Sequence, residues 1–340
     1  MQSRSFPQSF KTGFKLLATL GVSVLFLYLF LRDLNLHDVA ESIKRADYEL
    51  VPLGLALFAV SIIARAFRWQ TFYSPGAPRI GILLPTLLIT YAGNNLLPLR
   101  GGEFLRAQLL LERAGVSRMR TLGVALIERF LDLFVVGIFV VFGRLIADIG
   151  IAFLGTGLLV AAGATASMVL ARFVTQGLPG RIASIRWLPL KDAWRVQLRF
   201  WGEWLIDGFS VLRSGPLFLQ AVLWTAVAWT LEFGMYYVVA RAFHIDESFL
   251  TLAFVGAAAN LALSIPSSQG GVGPFQWVAK EALLKFGVAA NAAAAYALAL
   301  HVLLVAPITL VGLLVFWLLV PQRRRLLLAR SAEEETPAGG

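Results

Sequence analysis

The chain has 340 residues, of which 58% are hydrophobic and only 15% are charged, and its mean hydropathy is +0.74. Soluble domains average about 45–50% apolar and about 25% charged residues, so this composition excludes a soluble enzyme, a disordered chain and a fibrous protein. The net charge of +10 does not indicate a nucleic-acid-binding protein, because the basic residues lie between apolar runs, as juxtamembrane residues do. Without cysteines and with only three histidines, the sequence offers no disulfide, no thiolate chemistry and no transition-metal cluster. We therefore expect an all-α polytopic membrane protein that needs no metal or cofactor.

Apolar runs long enough to cross a bilayer occur six times along the sequence. A transmembrane helix needs about 20 mostly apolar residues. The six runs are 12–31, 50–69, 121–141, 150–171, 216–240 and 294–320. Two shorter runs, 80–97 and 249–265, end in polar sequence rich in Gly and Pro instead of a charged loop.

The distribution of lysine and arginine decides how the two shorter runs are interpreted. If they are re-entrant hairpins, the segments on the inner side hold 22 Lys and Arg, and the segments on the outer side hold 7. If all eight runs cross, the outer side holds 17 and the inner side 12. The positive-inside rule therefore predicts six crossing helices and two re-entrant hairpins in the inner (plasma) membrane, with both termini in the cytoplasm.

The two shorter runs would enter the membrane from opposite sides. Their tips share an order of residue types, namely Asn, apolar residues, Pro, polar residues and Gly-Gly. Oppositely oriented pairs of broken apolar segments are typical of transporters built from inverted repeats. We therefore predict inverted repeats over 49–148 and 216–320 of a single domain, 1–320. Two further segments are predicted outside these repeats: an interfacial cytoplasmic segment at 172–213 and a basic, then acidic, tail at 321–340.

The first polar site follows the first shorter run and predicts a broken helix that binds an anion. Its residues are Asn94, Asn95, Pro98, Arg100, Gly101, Gly102, Glu103 and Arg106. Pro98 removes a backbone donor, and Gly101 and Gly102 permit non-helical backbone, so a helix can restart near Gly102 with free amide groups. Arg100 adds a donor fork for phosphate or carboxylate, and the three-residue spacing lets Glu103 and Arg106 meet on one helix face. The alternative is an ordinary cytoplasmic turn with solvated charges.

The second polar site consists of Glu128, Arg129 and Asp132, within the crossing run 121–141. Glu128 and Asp132 share a helix face, and Arg129 can pair with Asp132. Since apolar sequence flanks all three, we expect them to face protein. Two interpretations stay open: a structural ion-pair network and a role in binding substrate, in which Arg129 or Asp132 neutralises charges at the first site.

Single polar residues inside other runs carry weaker indications. Glu232 is an isolated acid in an apolar run and is therefore a functional candidate. Arg65 and Arg68 close the second crossing run, where snorkelling to the inner interface is the simplest explanation; the alternative for Arg65 is to turn inward toward a lipid headgroup. His301 is interpreted as a hydrogen-bonded packing residue, and the alternative is a histidine that titrates.

The third polar site follows the second shorter run. Its residues are Asn260, Pro266, Gln269, Gly270, Gly271 and Gly273. Prolines and glycines at membrane depth cannot form a lipid-exposed helix, so they must line protein or a water-filled cavity. The alternative is a plain extracellular loop.

These motifs, in this order and spacing, resemble the transmembrane flippase domain of the lysylphosphatidylglycerol synthase/flippase family. The matching residues are Asn95, Pro98, Arg100, Gly101, Gly102, Glu103, Arg106, Glu128, Arg129, Asp132, Pro266, Gly270, Gly271, Val272 and Gly273. The resemblance covers about residues 10–320 and leaves no room for the family's aminoacyl-transferase domain, so it does not imply synthesis of lysyl-lipid.

The resemblance implies a non-enzymatic protein that moves an anionic or headgroup-modified lipid between leaflets. A phospholipid and a polyprenyl-phosphate lipid are both possible cargo, and an envelope glycosyltransferase or lipid-modifying enzyme is a possible partner. Three other functions stay open: a membrane-embedded lipid-modifying transferase that uses Glu103 or Asp132 as general base, a non-transporting partner of an envelope glycosyltransferase, and a transporter of a small solute.

Overall fold

The computed structural model describes residues 21–97, 101–146, 214–263 and 269–334, together with 162, 163, 165, 166, 169, 209 and 211; for 142–146 and 320–334 only the backbone is described. These residues form helices, turns and connections, and no strand occurs among them. The all-α class predicted from the sequence is thereby confirmed.

Ten α-helices lie within the described ranges. They are α1 (Gly21–Leu31), α2 (Leu36–Lys44), α3 (Val51–Phe72), α4 (Ile80–Leu96), α5 (Gly102–Ala114), α6 (Arg118–Ile146), α7 (Gly215–Ala242), α8 (Phe249–Ala262), α9 (Pro274–Lys285) and α10 (Ala290–Glu334). Short 3-10 turns at Tyr48–Leu50 and Gln269–Gly271 precede α3 and α9.

Three of the described helices are long and apolar enough to cross a membrane: Tyr48–Phe72, Gly215–Ala242 and Ala290–Leu319. The helices α4 and α8 have 17 and 14 residues, or about 25 Å and 21 Å at 1.5 Å per residue. Both are shorter than the roughly 30 Å of a hydrocarbon core. These lengths agree with the two shorter runs, and the re-entrant path of α4 and α8 stays a prediction.

The other predicted runs have mixed outcomes. The run 121–141 lies within α6, and 12–31 is described only from residue 21. The run 150–171 and the segment 172–213 lie outside the described residues, apart from isolated positions. The run 294–320 lies within α10, whose apolar span is Ala290–Leu319 and whose helix continues to Glu334. Arg, Leu and Ala, which are strong helix formers, dominate the sequence beyond 322.

Local sequence sets the helix ends that position the site. The Ser248 hydroxyl accepts a hydrogen bond from the Thr251 amide at 3.0 Å and caps α8. Gly115, in the left-handed conformation with φ 66°, ends α5. Proline stands near the start of α3, α7 and α9, where its missing N–H costs nothing.

The helices α3 and α7 pack against each other in antiparallel orientation along their full length. At one end, the Asp47 amide donates to the Ala242 carbonyl at 2.8 Å. At the other end, the Phe67 ring stacks on Trp224 with centroids 5.2 Å apart. Of the shorter helices, α4 packs against α3 and α8 packs against α7.

The two halves of the structure repeat one order of elements. A long helix, two short helices and another long helix follow each other as α3–α6 and again as α7–α10. In the first half α4 packs on α5 and on α10, and in the second half α8 packs on α9 and on α6. The order fits the repeats expected over 49–148 and 216–320, whose opposite orientation in the membrane stays a prediction.

Candidate functional site

A continuous series of buried ion pairs begins at the start of α5. The Arg106 guanidinium donates to the Glu103 carboxylate at 3.2 Å and to Glu128 on α6 at 2.9 Å. Arg129, the residue after Glu128, donates to the other Glu103 oxygen at 3.2 Å. Glu103 and Glu128 are therefore bridged by Arg106, which joins the α4–α5 hairpin to α6.

The series continues from α6 to α3. Arg68 donates from one guanidinium nitrogen to Glu128 and from another to Asp132, the latter at 2.6 Å. Two indole N–H groups add further hydrogen bonds at 3.0 Å: Trp69 donates to Glu128, and Trp229 donates to Asp132. Each of these two carboxylates thus accepts bonds from a guanidinium and from an indole.

The series ends between α7 and α8. Arg65 donates to Glu232 at 2.5 Å, and one of its nitrogens lies 3.9 Å from Asp132. The Tyr236 hydroxyl donates to the second Glu232 oxygen at 2.9 Å, and the Asn260 amide donates to that hydroxyl at 2.9 Å. Polar contacts therefore connect the start of α5 to the end of α8.

We call the charged members of this series the ion-pair ladder. In spatial order they are Arg129, Glu103, Arg106, Glu128, Arg68, Asp132, Arg65 and Glu232. Four guanidinium groups alternate with four carboxylates, so the ladder is formally neutral. Neutrality and multiple bonds offset the large cost of removing these charges from water.

One end of the ladder is accessible and the rest is enclosed. The side chains of Arg68 and Arg106 are 0% and 1% exposed, whereas that of Arg129 is 41% exposed. Arg65 is seven residues before the end of α3, which corresponds to about 10 Å along the helix. The ladder therefore extends from an accessible cation into the interior of the helix bundle.

Tryptophan rings hold two of the buried guanidinium groups in place. Arg106 lies over the Trp69 ring at 3.8 Å, and Arg65 lies over the Trp229 ring at 5.0 Å. Within the described residues, Nε and Nη2 of Arg106 and Nε of Arg65 and Arg68 donate no hydrogen bond. The ladder thus keeps donor capacity beyond what its own carboxylates use.

A second polar cluster lies at the turn before α9. Gly270, Gly271 and Gly273 have φ values of 73°, 73° and 99°, which side chains rarely adopt. Gln276 accepts a hydrogen bond from the Gly273 amide at 2.7 Å, and His301 of α10 contacts the Gly270 carbonyl at 2.7 Å and the Gln276 amide. The glycines permit non-helical backbone here, as expected.

The sequence of the chain matches the model of a known protein family. The family model for the lysylphosphatidylglycerol synthase TM region matches residues 16–312, which is most of the chain. The chain belongs to this family. No curated protein matches it. Membership assigns the chain to integral membrane proteins with a lipid-related function.

The ladder joins residues that the sequence pattern had assigned to separate polar sites. It includes Glu103 and Arg106 of the first site, all three residues of the second, and the single residue Glu232. Asn260 of the third site is linked to it through Tyr236. The predicted pairing of Glu103 with Arg106 on one helix face is confirmed.

Two expectations about individual charges are wrong. Arg129 pairs with Glu103 and not with Asp132, because Asp132 is already bonded to Arg68 of α3. Arg65 and Arg68 do not snorkel, since they are 5% and 0% exposed. Carboxylates on α6 and α7 lie within reach of both, so each arginine is paired inside the protein.

Gly101 and Gly102 act differently from the prediction. Gly101 has helical backbone angles, φ −56° and ψ −15°, and α5 starts at the next residue. A Cβ on Gly102 would lie 2.0 Å from the Thr90 carbonyl oxygen of α4. Gly102 is therefore required for the close crossing of α4 and α5 and not for an unusual backbone conformation.

The remaining predicted residues lie apart from the ladder. The Asn95 amide donates to the Thr309 hydroxyl of α10 at 2.8 Å, and Asn94 lies beside Gly102. Gln269, Gly270, Gly271 and Gly273 belong to the turn before α9, where His301 is the hydrogen-bonded packing residue that was expected. Pro98, Arg100 and Pro266 lie outside the described residues.

Sequence reasoning missed the aromatic members of the site. Trp69, Trp229 and Tyr236 each donate to a ladder carboxylate. A usable signal was present, because each lies within four residues of a charged position in an apolar run. Buried indole and phenol groups need a hydrogen-bond partner, and a nearby buried carboxylate supplies one.

Proposed function

We propose that this family member moves an anionic lipid between the two leaflets of the membrane, with the headgroup phosphate engaging the arginines of the ion-pair ladder. The observation that carries the proposal is the half-exposed Arg129 at the end of a ladder that is otherwise buried. A headgroup that enters here meets a cation first and finds further arginines within the bundle.

The bonding pattern favours an anion at the accessible end. Arg129 has a single carboxylate partner, and Arg106 keeps Nε and Nη2 without a hydrogen bond among the described residues. Guanidinium groups bind phosphate oxygens through paired, charge-assisted hydrogen bonds. A phosphate can therefore add to these donors, or replace Glu103 between Arg106 and Arg129, without leaving an arginine unpaired.

The lengths of the helices favour transport of a lipid over that of a small solute. The short helices α4 and α8 would leave a polar path through the bundle interior, while acyl chains stay in the surrounding hydrocarbon. The chain contains no Gly-Lys-Ser/Thr loop for a nucleotide, so we propose movement that is downhill or coupled to an ion.

We propose transport in preference to chemistry on the lipid. A general base must lie within hydrogen-bond reach of the proton that it abstracts. Glu103 accepts from Arg106 and Arg129, and Asp132 Oδ1 accepts from Arg68 and Trp229, so both candidate bases are members of ion pairs within the bundle. These contacts suit a binding path better than an acid–base site.

The test is leaflet exchange in proteoliposomes that contain a fluorescent anionic phospholipid, scored by a membrane-impermeant quencher. We expect the wild-type chain to accelerate exchange, and Arg129→Gln to slow it by about tenfold, as expected for a lost charged hydrogen bond. Arg118→Gln is the matched control, since Arg118 is exposed and bonds only the Gln108 side chain among the described residues.

The control variant should exchange lipid at the wild-type rate. The proposal is wrong if the wild-type chain gives the protein-free rate with anionic phospholipid and polyprenyl-phosphate probes, with and without a proton gradient. If Arg129→Gln and Arg118→Gln slow lipid exchange equally, the accessible end of the ladder has no specific role in transport.

A further inference from the structure

The turn before α9 is tied to α10 by a closed set of hydrogen bonds, which we call the turn cluster: Gly270, Gly273, Gln276 and His301. His301 Nε2 lies 2.7 Å from the Gly270 carbonyl oxygen, and His301 Nδ1 contacts the Gln276 amide nitrogen. The Gln276 carbonyl oxygen accepts from the Gly273 amide at 2.7 Å. His301 and Gln276 are only 6% and 5% exposed.

This arrangement fixes the protonation state of His301. The Gly270 carbonyl can only accept, so Nε2 must carry a hydrogen. Gln276 uses its oxygen for the Gly273 amide, so its NH2 group faces Nδ1, which must accept. A neutral imidazole with the hydrogen on Nε2 satisfies all three contacts.

Addition of one proton breaks this set. A proton on Nδ1 turns that nitrogen into a donor that faces the Gln276 NH2 group, which is also a donor. If the Gln276 amide turns to present its oxygen, it gives up the Gly273 amide instead. Either way one hydrogen bond of the turn cluster is lost, although the bond from Nε2 to the Gly270 carbonyl remains, and a buried positive charge is created.

Within the described ranges, the neighbouring elements supply no counter-charge bonded to His301. The titratable and charged groups on elements packed against α10 are Tyr91 of α4, Glu232, Tyr236, Tyr237 and Arg241 of α7, Lys280, Glu281 and Lys285 of α9, and His37, Asp38, Glu41 and Lys44 of α2. Lys280 donates to the Phe30 carbonyl at 3.0 Å and lies 3.4 Å from Glu281. Asp38 accepts from Asn291, ten residues before His301, which is about 15 Å along α10.

We propose that His301 is a proton-binding site whose protonation loosens the turn cluster around Gln276. The inference rests on the proposed transport function only for its consequence, which is coupling of lipid movement to protons. The ladder carboxylates are weaker candidates for this role, because Glu103, Glu128, Asp132 and Glu232 each already form an ion pair with an arginine.

The test uses the absence of cysteine in the natural chain. Ala279→Cys places a single thiol at a buried position of α9, three residues after Gln276, and Lys44→Cys places one at an exposed position of α2 as the control. Maleimide labelling of each purified protein in detergent is measured at about pH 7.5 and about pH 5.5, where histidine changes charge. At each pH, the labelling rate of Ala279→Cys is divided by that of Lys44→Cys. This rate ratio removes the intrinsic effect of pH on thiol reactivity.

In the parent, with His301 and Gln276 unchanged, we expect the rate ratio to rise several-fold at the lower pH. When His301→Gln is added to both proteins, the ratio should not depend on pH, since Gln keeps a donor toward Gly270 and does not titrate. Gln276→Glu should also keep the ratio low, because a carboxylate can accept from protonated Nδ1 and from the Gly273 amide together. A pH-independent ratio in the parent overturns the proposal, as does an unchanged pH response in both variants. Labelling is independent of lipid exchange, so failure here leaves the transport proposal standing.

Discussion

At the scale of residues, the ion-pair ladder shows how eight charges, most of them buried, are kept stable in an apolar chain. A charge near the centre of a bilayer costs about 2.5–3.5 kcal/mol on insertion scales. The ladder offsets this cost by alternation, so that Arg68 lies between Glu128 and Asp132 and each of these two carboxylates lies beside two guanidinium groups. Removal of one member therefore leaves its neighbours with an uncompensated charge.

The first residue-scale prediction concerns Asp132→Asn. The change keeps the size of the side chain and an acceptor for Trp229, but it removes the charge opposite Arg68 and Arg65. Loss of one partner of a buried pair costs about 3–5 kcal/mol, so we expect a marked fall in thermal stability in detergent together with slower lipid exchange. Asp246→Asn is the control, because Asp246 pairs with Arg241 at the surface and its side chain is 88% exposed. Equal melting temperatures for wild type and Asp132→Asn would contradict a structural role.

Part of this residue pattern could be predicted from the sequence. The pairing of Glu103 with Arg106 follows from helical spacing, which a single segment reveals. The burial of Arg68 does not follow, because its partners Glu128 and Asp132 lie 60 and 64 positions away and only tertiary packing brings them close. Long-range pairing also explains why Arg129 turned to Glu103 instead of Asp132.

At the scale of elements, run length predicted the helices well and their crossings poorly. The run 216–240 became the helix Gly215–Ala242, and 50–69 became Val51–Phe72, since an apolar run fixes the extent of a membrane helix. Close contact between α4 and α5 could not be predicted, because it depends on which carbonyl Gly102 meets.

The element-scale prediction is that Gly102→Ala separates α4 from α5. The new Cβ would lie 2.0 Å from the Thr90 carbonyl oxygen, so the backbone of one helix must move and displace Glu103 and Arg106. We expect lower thermal stability and loss of lipid exchange in the same proteoliposomes. Gly81→Ala, near the start of α4, meets no atom within 4 Å and should behave as wild type. Full exchange in Gly102→Ala would show that the hairpin does not position the ladder.

At the scale of the whole molecule, the ladder links both halves of the chain. Glu103 and Arg106 belong to α5 in the first half, and Glu232 and Asn260 belong to α7 and α8 in the second. The ion pairs of Arg68 and Arg65 therefore connect the two short-helix hairpins within one structure. The order of the helices was predictable from the apolar runs, whereas the ion pairs that link the two hairpins were not.

The whole-molecule prediction concerns the orientation of the two halves. The excess of Lys and Arg predicts that the segment around Arg118 faces the cytoplasm and that the segment around Glu247 faces the outside. With this orientation the half-exposed Arg129 lies in the cytoplasmic half of the bundle, because α6 begins at Arg118.

Reporters fused after Arg118 and after Glu247 measure the two locations directly, and a reporter active only in the cytoplasm should work at the first fusion alone. An external Arg118 would mean that α4 and α5 do not return to the side from which they enter. The inverted repeat would then be wrong, and a lipid would have to reach Arg129 from the outer leaflet.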